Sequence, residues 1–248
     1  MDHQGCCSLG FNVAQTVRVA GTVRDRLSTD NWRVLSRLLP LFTREQRVLD
    51  LDDALELIDE ALVSLVAVGG LEMAHMTRDD GWRFLSIGRH LERLHFVSST
   101  LGDALLEQSS EQASGESGLL EWLLELSDSL LTYRVRHMQR PEWESVVDLM
   151  LADERNPRSA RFQLTKLDKH VRLLPDADLI EVVGEVERLL HDSRAGVDGG
   201  QGELFGGGQG RLEALLTGCQ QVSVRLAHAL SLRYFSHVHD VPRATVAV

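Results

Sequence analysis

The chain has 248 residues, of which 43% are apolar, and a formal net charge of -11. An acidic chain of this kind lacks the basic surface by which proteins bind nucleic acids and anionic membranes, so both are excluded as partners. The sequence contains no secretory leader or membrane-spanning run, and its three cysteines cannot form a disulfide framework. We therefore predict a cytoplasmic protein.

Apolar residues recur at helical spacing along most of the chain, and 42 leucines against three isoleucines favour helices over strands. The sequence thus predicts an all-α fold, a multi-helix bundle with two flexible polar or glycine-rich loops. Prolines and capping residues are expected to bound the helices, as at Pro40 and in the capping-box pattern at residues 77–80. The predicted helices cover residues 10–27, 29–39, 51–75, 78–107, 119–139, 142–152, 157–173, 177–194 and 211–236.

Two groups of apolar residues are expected to contribute to the bundle core. They are Leu55, Ile58, Leu62, Leu65 and Val66 in one helix and Leu212, Leu215, Leu216 and Cys219 in the last helix. We predict one helical domain over residues 8–238, with disordered tails at 1–7 and 239–248. Residues 108–118 and the glycine-rich stretch 196–210 are expected to be flexible loops.

Sites that depend on metals, phosphate loops or nucleophiles find little support in the sequence. Two Glu-x-x-His pairs, Glu72 with His75 and Glu92 with His95, have the spacing of di-iron bundles. In a helical hairpin that turns near Met76, however, the pairs would lie at very different distances from the turn, which argues against a shared ion. No Gly-Lys-Ser/Thr loop or Gly-x-Ser-x-Gly elbow occurs. We therefore predict neither a metal nor a cofactor.

The helix predicted at residues 78–107 carries charged and large apolar side chains on one stripe. At about 100° per residue this stripe contains Arg78, Trp82, Leu85, Arg89, Glu92 and Phe96. A separate polar face, which includes His90 and Arg93, is available to face water. We therefore expect Arg78, Arg89 and Glu92 to lie against protein, either as an internal ion-pair network or as a ligand pocket.

A second group of charged residues lies further along the chain, at Tyr133-Arg134 and in the segment Asp153–Ser159. The latter is predicted to open a helix at Asn156-Pro157. Free N–H groups at that end, together with Arg158, would suit a carboxylate or a phosphate. Equally, Asp153 and Arg158 may serve only to cap and clamp their own loop; the sequence leaves both alternatives open.

Two segments resemble signatures of the bacterial alpha-E domain family. Residues 76–93, MTRDDGWRFLSIGRHLER, are similar to its pattern Thr-x-x-x-Gly-Trp-x-Phe followed by Gly-Arg-x-x-Glu-Arg, and residues 153–164, DERNPRSARFQL, resemble a second signature. Tyr133-Arg134 and the segment from Ser28 to Trp32 occur in the matching order. The resemblance covers residues 8–236, and the chain is expected to lack the family's usual N-terminal part, which carries a further Gly-Arg-x-x-Glu-Arg repeat.

This resemblance implies a partnership, because alpha-E proteins are encoded beside, or fused to, circularly permuted ATP-grasp ligases. The leading hypothesis is a helical accessory subunit of an amide (peptide) ligase, not catalytic alone, which binds the ligase or a carboxylate- or amine-bearing substrate in a charged groove. The alternatives are an autonomous peptide-processing enzyme with Glu92 as general base, and a non-catalytic assembly scaffold or homo-oligomer. The candidate binding residues are Arg78, Trp82, Arg89, Glu92, Tyr133, Arg134, Asp153 and Arg158.

Overall fold

The computed structural model describes residues 8–43, 50–108, 116–174, 209–235 and parts of 179–191. Within these ranges the regular structure is helical and no strand occurs, which confirms the predicted all-α fold. The predicted tails at 1–7 and 239–248 lie outside the described residues, as do most of the predicted loops at 108–118 and 196–210.

The helices follow one another in chain order with short connections. They are α1 (Leu9–Thr22), α2 (Thr29–Thr43), α3 (Leu51–His75), α4 (Asp80–Gln108), α5 (Glu116–Leu126), α6 (Leu130–His137), α7 (Trp143–Val147), α8 (Ala160–Val171) and α9 (Gln209–Leu230). A 3-10 turn at Arg24–Arg26 follows α1, and π-helical turns extend α7 (Asp148–Ala152) and α9 (Ser231–Phe235). Helical residues also occur between 181 and 191.

Contacts divide the chain into two compact units, Met1–Trp82 and Arg83–Val248. In the first unit, α1 packs on α2 and α2 packs on α3. A small group of buried apolar side chains joins them: Val13, Leu35, Leu38, Ala61 and Val68. The prediction of one domain over residues 8–238 stays a prediction.

The second unit has a much larger apolar core. Leucines of α4, α5 and α8 are almost fully buried there, among them Leu94, Leu123 and Leu164. The last helix, α9, adds the four residues predicted to be buried: Leu212, Leu215, Leu216 and Cys219. The Cys219 thiol is buried, and this burial raises its pKa to about 12, so it is a packing residue and not a nucleophile.

Several helix limits differ from those expected. Pro40 lies inside α2, whereas it was expected to end that helix. The expected helix at 119–139 is two helices, because Asp128 adopts a left-handed conformation (φ 51°) between α5 and α6. The cap of α4 is Asp79, whose carboxylate accepts a hydrogen bond from the Trp82 N–H (3.1 Å), and α8 begins after Ser159 instead of Asn156.

The apolar row predicted for the core in α3 is wrongly placed. Its five residues, Leu55, Ile58, Leu62, Leu65 and Val66, are exposed. The side of α3 that packs in the first unit is instead lined by the small residues Ala61 and Val68. The hydrophobic pattern of α3 extends over two neighbouring faces, and spacing alone does not determine which face is covered.

Candidate functional site

The two faces of α4 have the opposite roles to those expected. The buried face contains Ile87, Leu91 and Leu94. At about 100° per residue, Arg89 and Glu92 lie nearly opposite Leu94. Accordingly Glu92 is exposed and Arg89 is only half-buried, as expected of side chains far from the core.

Other members of the predicted stripe lie at the surface as well. Phe96 is 48% exposed and Arg78 is exposed, so the expectation that Arg78 and Glu92 lie against protein is wrong. The face expected to meet water is the more covered one: Ser86 is buried and Arg93 is half-buried. Both faces of α4 carry charges, so the position of the neighbouring helices decides which one is covered.

In the first unit, Arg78 makes its contacts with nearby residues. Its guanidinium group donates to the carbonyl of Met73 (2.6 Å) and lies 4.3 Å from the centroid of the Trp82 ring. A cation over the face of tryptophan is a favourable arrangement. Arg78 and Trp82 therefore form a local stacked pair at the start of α4.

In the second unit, the segment before α8 is a tightly bonded loop. One carboxylate oxygen of Asp153 accepts from the N–H groups of Arg155 (2.7 Å) and Asn156 (3.2 Å), and Arg136 of α6 pairs with the other. The buried Asn156 amide donates to the carbonyl of Leu149 (3.0 Å) and to the Ser129 hydroxyl (3.2 Å). The loop is thereby joined to α6 and to the segment that precedes it.

The N-terminus of α8 is capped from within the chain. The Ser159 hydroxyl accepts from the Phe162 N–H (3.0 Å), as is typical of an N-cap serine. The Arg158 guanidinium donates to the carboxylate of Asp128 (2.8 Å), in the turn between α5 and α6. Of the two alternatives left open by the sequence, this geometry favours the clamp at the helix end.

Three arginines nevertheless lie near one another in the second unit, and we call Arg89, Arg93 and Arg158 the arginine cluster. The pKa of Arg93 is lowered by burial and, to a smaller extent, by the positive charges of Arg158 and Arg89. An arginine remains protonated at neutral pH despite such a shift. Within the described residues Arg93 has no hydrogen-bond or ion-pair partner, so the cluster holds positive charge beyond what Asp128 neutralises.

Polar contacts between α4 and α8 lie on the same face as Arg93. The His90 ring is bonded to the Gln163 amide (2.7 Å) and stacks on His170 with 5.9 Å between ring centroids. Burial is the main cause that lowers the pKa of both histidines. Nearby cations, including Lys166, lower the pKa of both further.

An open cleft of about 550 Å³ lies beside α6. Arg134 and Arg140 line it together with Glu121. The Tyr133 hydroxyl, in contrast, is engaged in structure: it donates to the carbonyl of Arg140 (3.2 Å) and accepts from the N–H of Glu142 (3.1 Å). Of the predicted pair Tyr133-Arg134, only the arginine is available to a ligand.

The comparisons with known proteins give a family but no activity. The sequence matches Alpha-E, a predicted alpha-helical domain with a conserved ER motif, over residues 1–235. The chain belongs to the Alpha-E family. Glu-Arg pairs occur in this Alpha-E chain at residues 92–93, 154–155 and 187–188.

Among curated proteins, the Alpha-E chain is similar to uncharacterised proteins of Mycobacterium bovis (strain ATCC BAA-935 / AF2122/97) and Mycobacterium tuberculosis (strain CDC 1551 / Oshkosh). Each is 29% identical over 173 residues, which is 68% of this chain and 19% of the relative. The chain thus spans about a fifth of the length of the curated relatives it matches. No solved structure matches it.

Two further kinds of site were searched for in the ranges that the structure describes. No group of three or more His, Cys, Asp or Glu side chains there is arranged to hold a metal ion. None of the helices in those ranges combines the length and apolar character needed to cross a membrane.

The structure brings only some of the predicted residues together. Arg89 and Arg158 meet in the arginine cluster, whereas Glu92 is exposed and Asp153 holds its own loop. Sequence reasoning missed Arg93 as a site residue and Asp128 as a partner of Arg158. The Glu-Arg pair at 92–93 was a usable signal for Arg93, but no local pattern marks a contact across 30 residues of chain.

Proposed function

We propose that this Alpha-E chain is a cytoplasmic helical binding module whose arginine cluster holds an anionic group, a carboxylate or a phosphate, of a substrate or partner. The supporting observation is the half-buried Arg93 beside Arg89 and Arg158. Positive charge crowded in a partly desolvated place costs free energy, which a bound anion offsets. Arginine also suits carboxylates and phosphates because its guanidinium group binds them through two hydrogen bonds.

We further propose that the anion belongs to an ATP-grasp-type amide ligase or to the substrate of that ligase. The support is the resemblance stated above, since such ligases activate carboxylates and alpha-E proteins are encoded beside them. The arginine cluster would then orient a carboxylate while the ligase supplies the nucleotide chemistry. No nucleic-acid or metal role is part of this proposal.

The alternative of an autonomous enzyme is disfavoured by the position of Glu92. General bases are tuned by burial and by neighbouring groups in a cleft. Glu92 is exposed and points away from the face of α4 that packs in the second unit. A catalytic role for it would need a covered site that the described residues do not provide.

The test compares thermal unfolding of the wild-type chain with and without succinate and inorganic phosphate. We expect either anion to raise the unfolding temperature of the wild type and of Arg172→Gln, an exposed arginine of α8 outside the cluster. We expect Arg93→Gln and Arg158→Gln to weaken anion binding by roughly 10- to 100-fold, the effect of losing one hydrogen bond to a charged group.

The same variant distinguishes a binding role from a structural one. Because Arg93→Gln removes a crowded charge, we expect the ligand-free variant to be at least as stable as the wild type. A large loss of stability, or a wild type that responds to neither anion, would contradict the proposed site. Capture from the native host, followed by mass spectrometry with the wild type and Arg93→Gln as baits, tests the ligase: recovery of other proteins alone would contradict that part.

A further inference from the structure

The longest exposed apolar surface of the first unit runs along α3. Seven of its side chains are exposed and lie on one stripe: Leu51, Leu55, Ile58, Leu62, Leu65, Val66 and Met73. Leu51 and Val66 are the most exposed of them, at 74% and 75%. An apolar stripe of this length on a protein surface is typical of a contact site.

The spacing of these residues is that of a helix that pairs with another helix. Residues 51, 55, 58, 62, 65 and 69 alternate steps of four and three, the heptad pattern of coiled coils. The stripe is about 100° wide and, at 1.5 Å per residue, about 33 Å long. The neighbouring face of α3, with Ala61 and Val68, is already covered inside the first unit.

The charges on α3 are distributed very unevenly. Its first part carries five acidic residues, Asp52, Asp53, Glu56, Asp59 and Glu60, whereas residues 61–71 carry no charge. Two parallel copies of α3 would place these acidic groups side by side, which is unfavourable. In an antiparallel pair the acidic part of each copy lies beside the uncharged part of the other.

The residue positions fit an antiparallel pair that crosses at Leu62. Leu51 of one copy then lies opposite Met73 of the other, and Ile58 lies opposite Val66. Leu55 lies opposite Gly69, where a side-chain carbon added to the glycine would meet nothing within 4 Å, so the surface there is open to a neighbouring side chain. Large residues therefore face small ones or each other along the whole stripe.

The available area is also adequate. A stable interface buries about 800 Å² per partner. Seven largely exposed Leu, Ile, Val and Met side chains on one helix supply most of that area. The acidic edge of the stripe argues against an anionic membrane as the occupant, because such a surface repels carboxylates.

We infer that the exposed stripe of α3 is a dimer interface, on which a second copy of this chain docks its own α3 in the antiparallel direction. This surface belongs to the first unit and is independent of the arginine cluster. The two proposals therefore fail separately: loss of the dimer leaves anion binding to be tested, and the reverse also holds.

The first test measures molar mass by size exclusion with light scattering over a range of protein concentrations. We expect the wild type to have the mass of a dimer and Leu62→Arg to have that of a monomer with an unchanged helical circular dichroism spectrum. The matched control is Leu131→Arg, at an exposed leucine of α6, which should remain dimeric. A wild type that stays monomeric at all concentrations, or a dimeric Leu62→Arg, would overturn the inference.

The second test reads the direction of the pair by disulfide formation in a chain with Cys6→Ser and Cys7→Ser. The remaining native thiol, Cys219, is buried and does not compete. We expect a mixture of Leu51→Cys and Met73→Cys chains to form a cross-linked heterodimer. Cross-linking of each variant with itself, and not with the other, would show parallel helices and contradict the proposed arrangement.

Discussion

At the scale of single residues, Asn156 connects three segments of the second unit. Its buried amide donates to the carbonyl of Leu149 and to the Ser129 hydroxyl, and its oxygen accepts from the Arg158 N–H (3.0 Å). Buried polar groups that lose a partner cost about 1–3 kcal/mol each. The segment Asp153–Ser159 is thus held by the chain itself, and its amide is a structural residue beside the arginine cluster.

We predict that Asn156→Ala lowers the free energy of unfolding by about 2–3 kcal/mol, because the carbonyl of Leu149 and the Ser129 hydroxyl lose a donor. Urea unfolding followed by circular dichroism measures the change. The exposed Arg155 of the same loop is the control: Arg155→Ala should change the free energy of unfolding by less than about 0.5 kcal/mol. Equal effects of the two substitutions would show that the Asn156 contacts do not stabilise the fold.

At the scale of whole elements, the helices could be predicted from the sequence but the covered faces could not. Leucine periodicity gave α3, α4 and α9, and the buried residues of α9, such as Leu216, were also predicted correctly. For α4 the same reasoning placed Glu92 inside and His90 in water. A mixed pattern of charges and large apolar groups is compatible with two orientations, and only the contact with α8 decides between them.

The contact between α4 and α8 should make stability depend on pH. The folded state lowers the pKa of His90 and His170 below the ordinary value of 6.5. As the pH falls below this value, the unfolded chain takes up protons that the folded chain resists, so stability is lost on acidification. We predict that His90→Gln loses less stability than the wild type between about pH 7.5 and about pH 5.5, the range in which histidines titrate.

Urea unfolding at the two pH values measures this difference. The control is His228→Gln, at an exposed position of α9, which should retain the wild-type dependence on pH. If His90→Gln and His228→Gln lost the same stability on acidification, the pH dependence would have to come from other groups. These include Asp148, whose pKa is raised by burial.

At the scale of the whole molecule, the two units differ greatly in the size of their cores. In the first unit the described core consists of five side chains, two of which, Ala61 and Val68, are small. The second unit buries leucines from most of its helices. Because apolar burial is the main favourable term in folding, the first unit should have the smaller share of the stability. The exposed stripe on α3 gives it a way to gain more by association.

We predict that backbone amides of α1–α3 exchange with solvent through openings of lower free energy than those of α8, as measured by hydrogen exchange and mass spectrometry. Leu38→Ala and Leu164→Ala are a matched pair, because both leucines are 1% exposed and such substitutions cost about 2–5 kcal/mol. The first should abolish protection in α1–α3 while α8 stays protected, since the cost is large compared with what a small core supplies. Protection of α3 should also rise with protein concentration in the wild type but not in Leu62→Arg. Uniform protection of both units in the wild type, or simultaneous loss of protection in both units of Leu38→Ala, would show that the chain unfolds as one cooperative body despite its two cores.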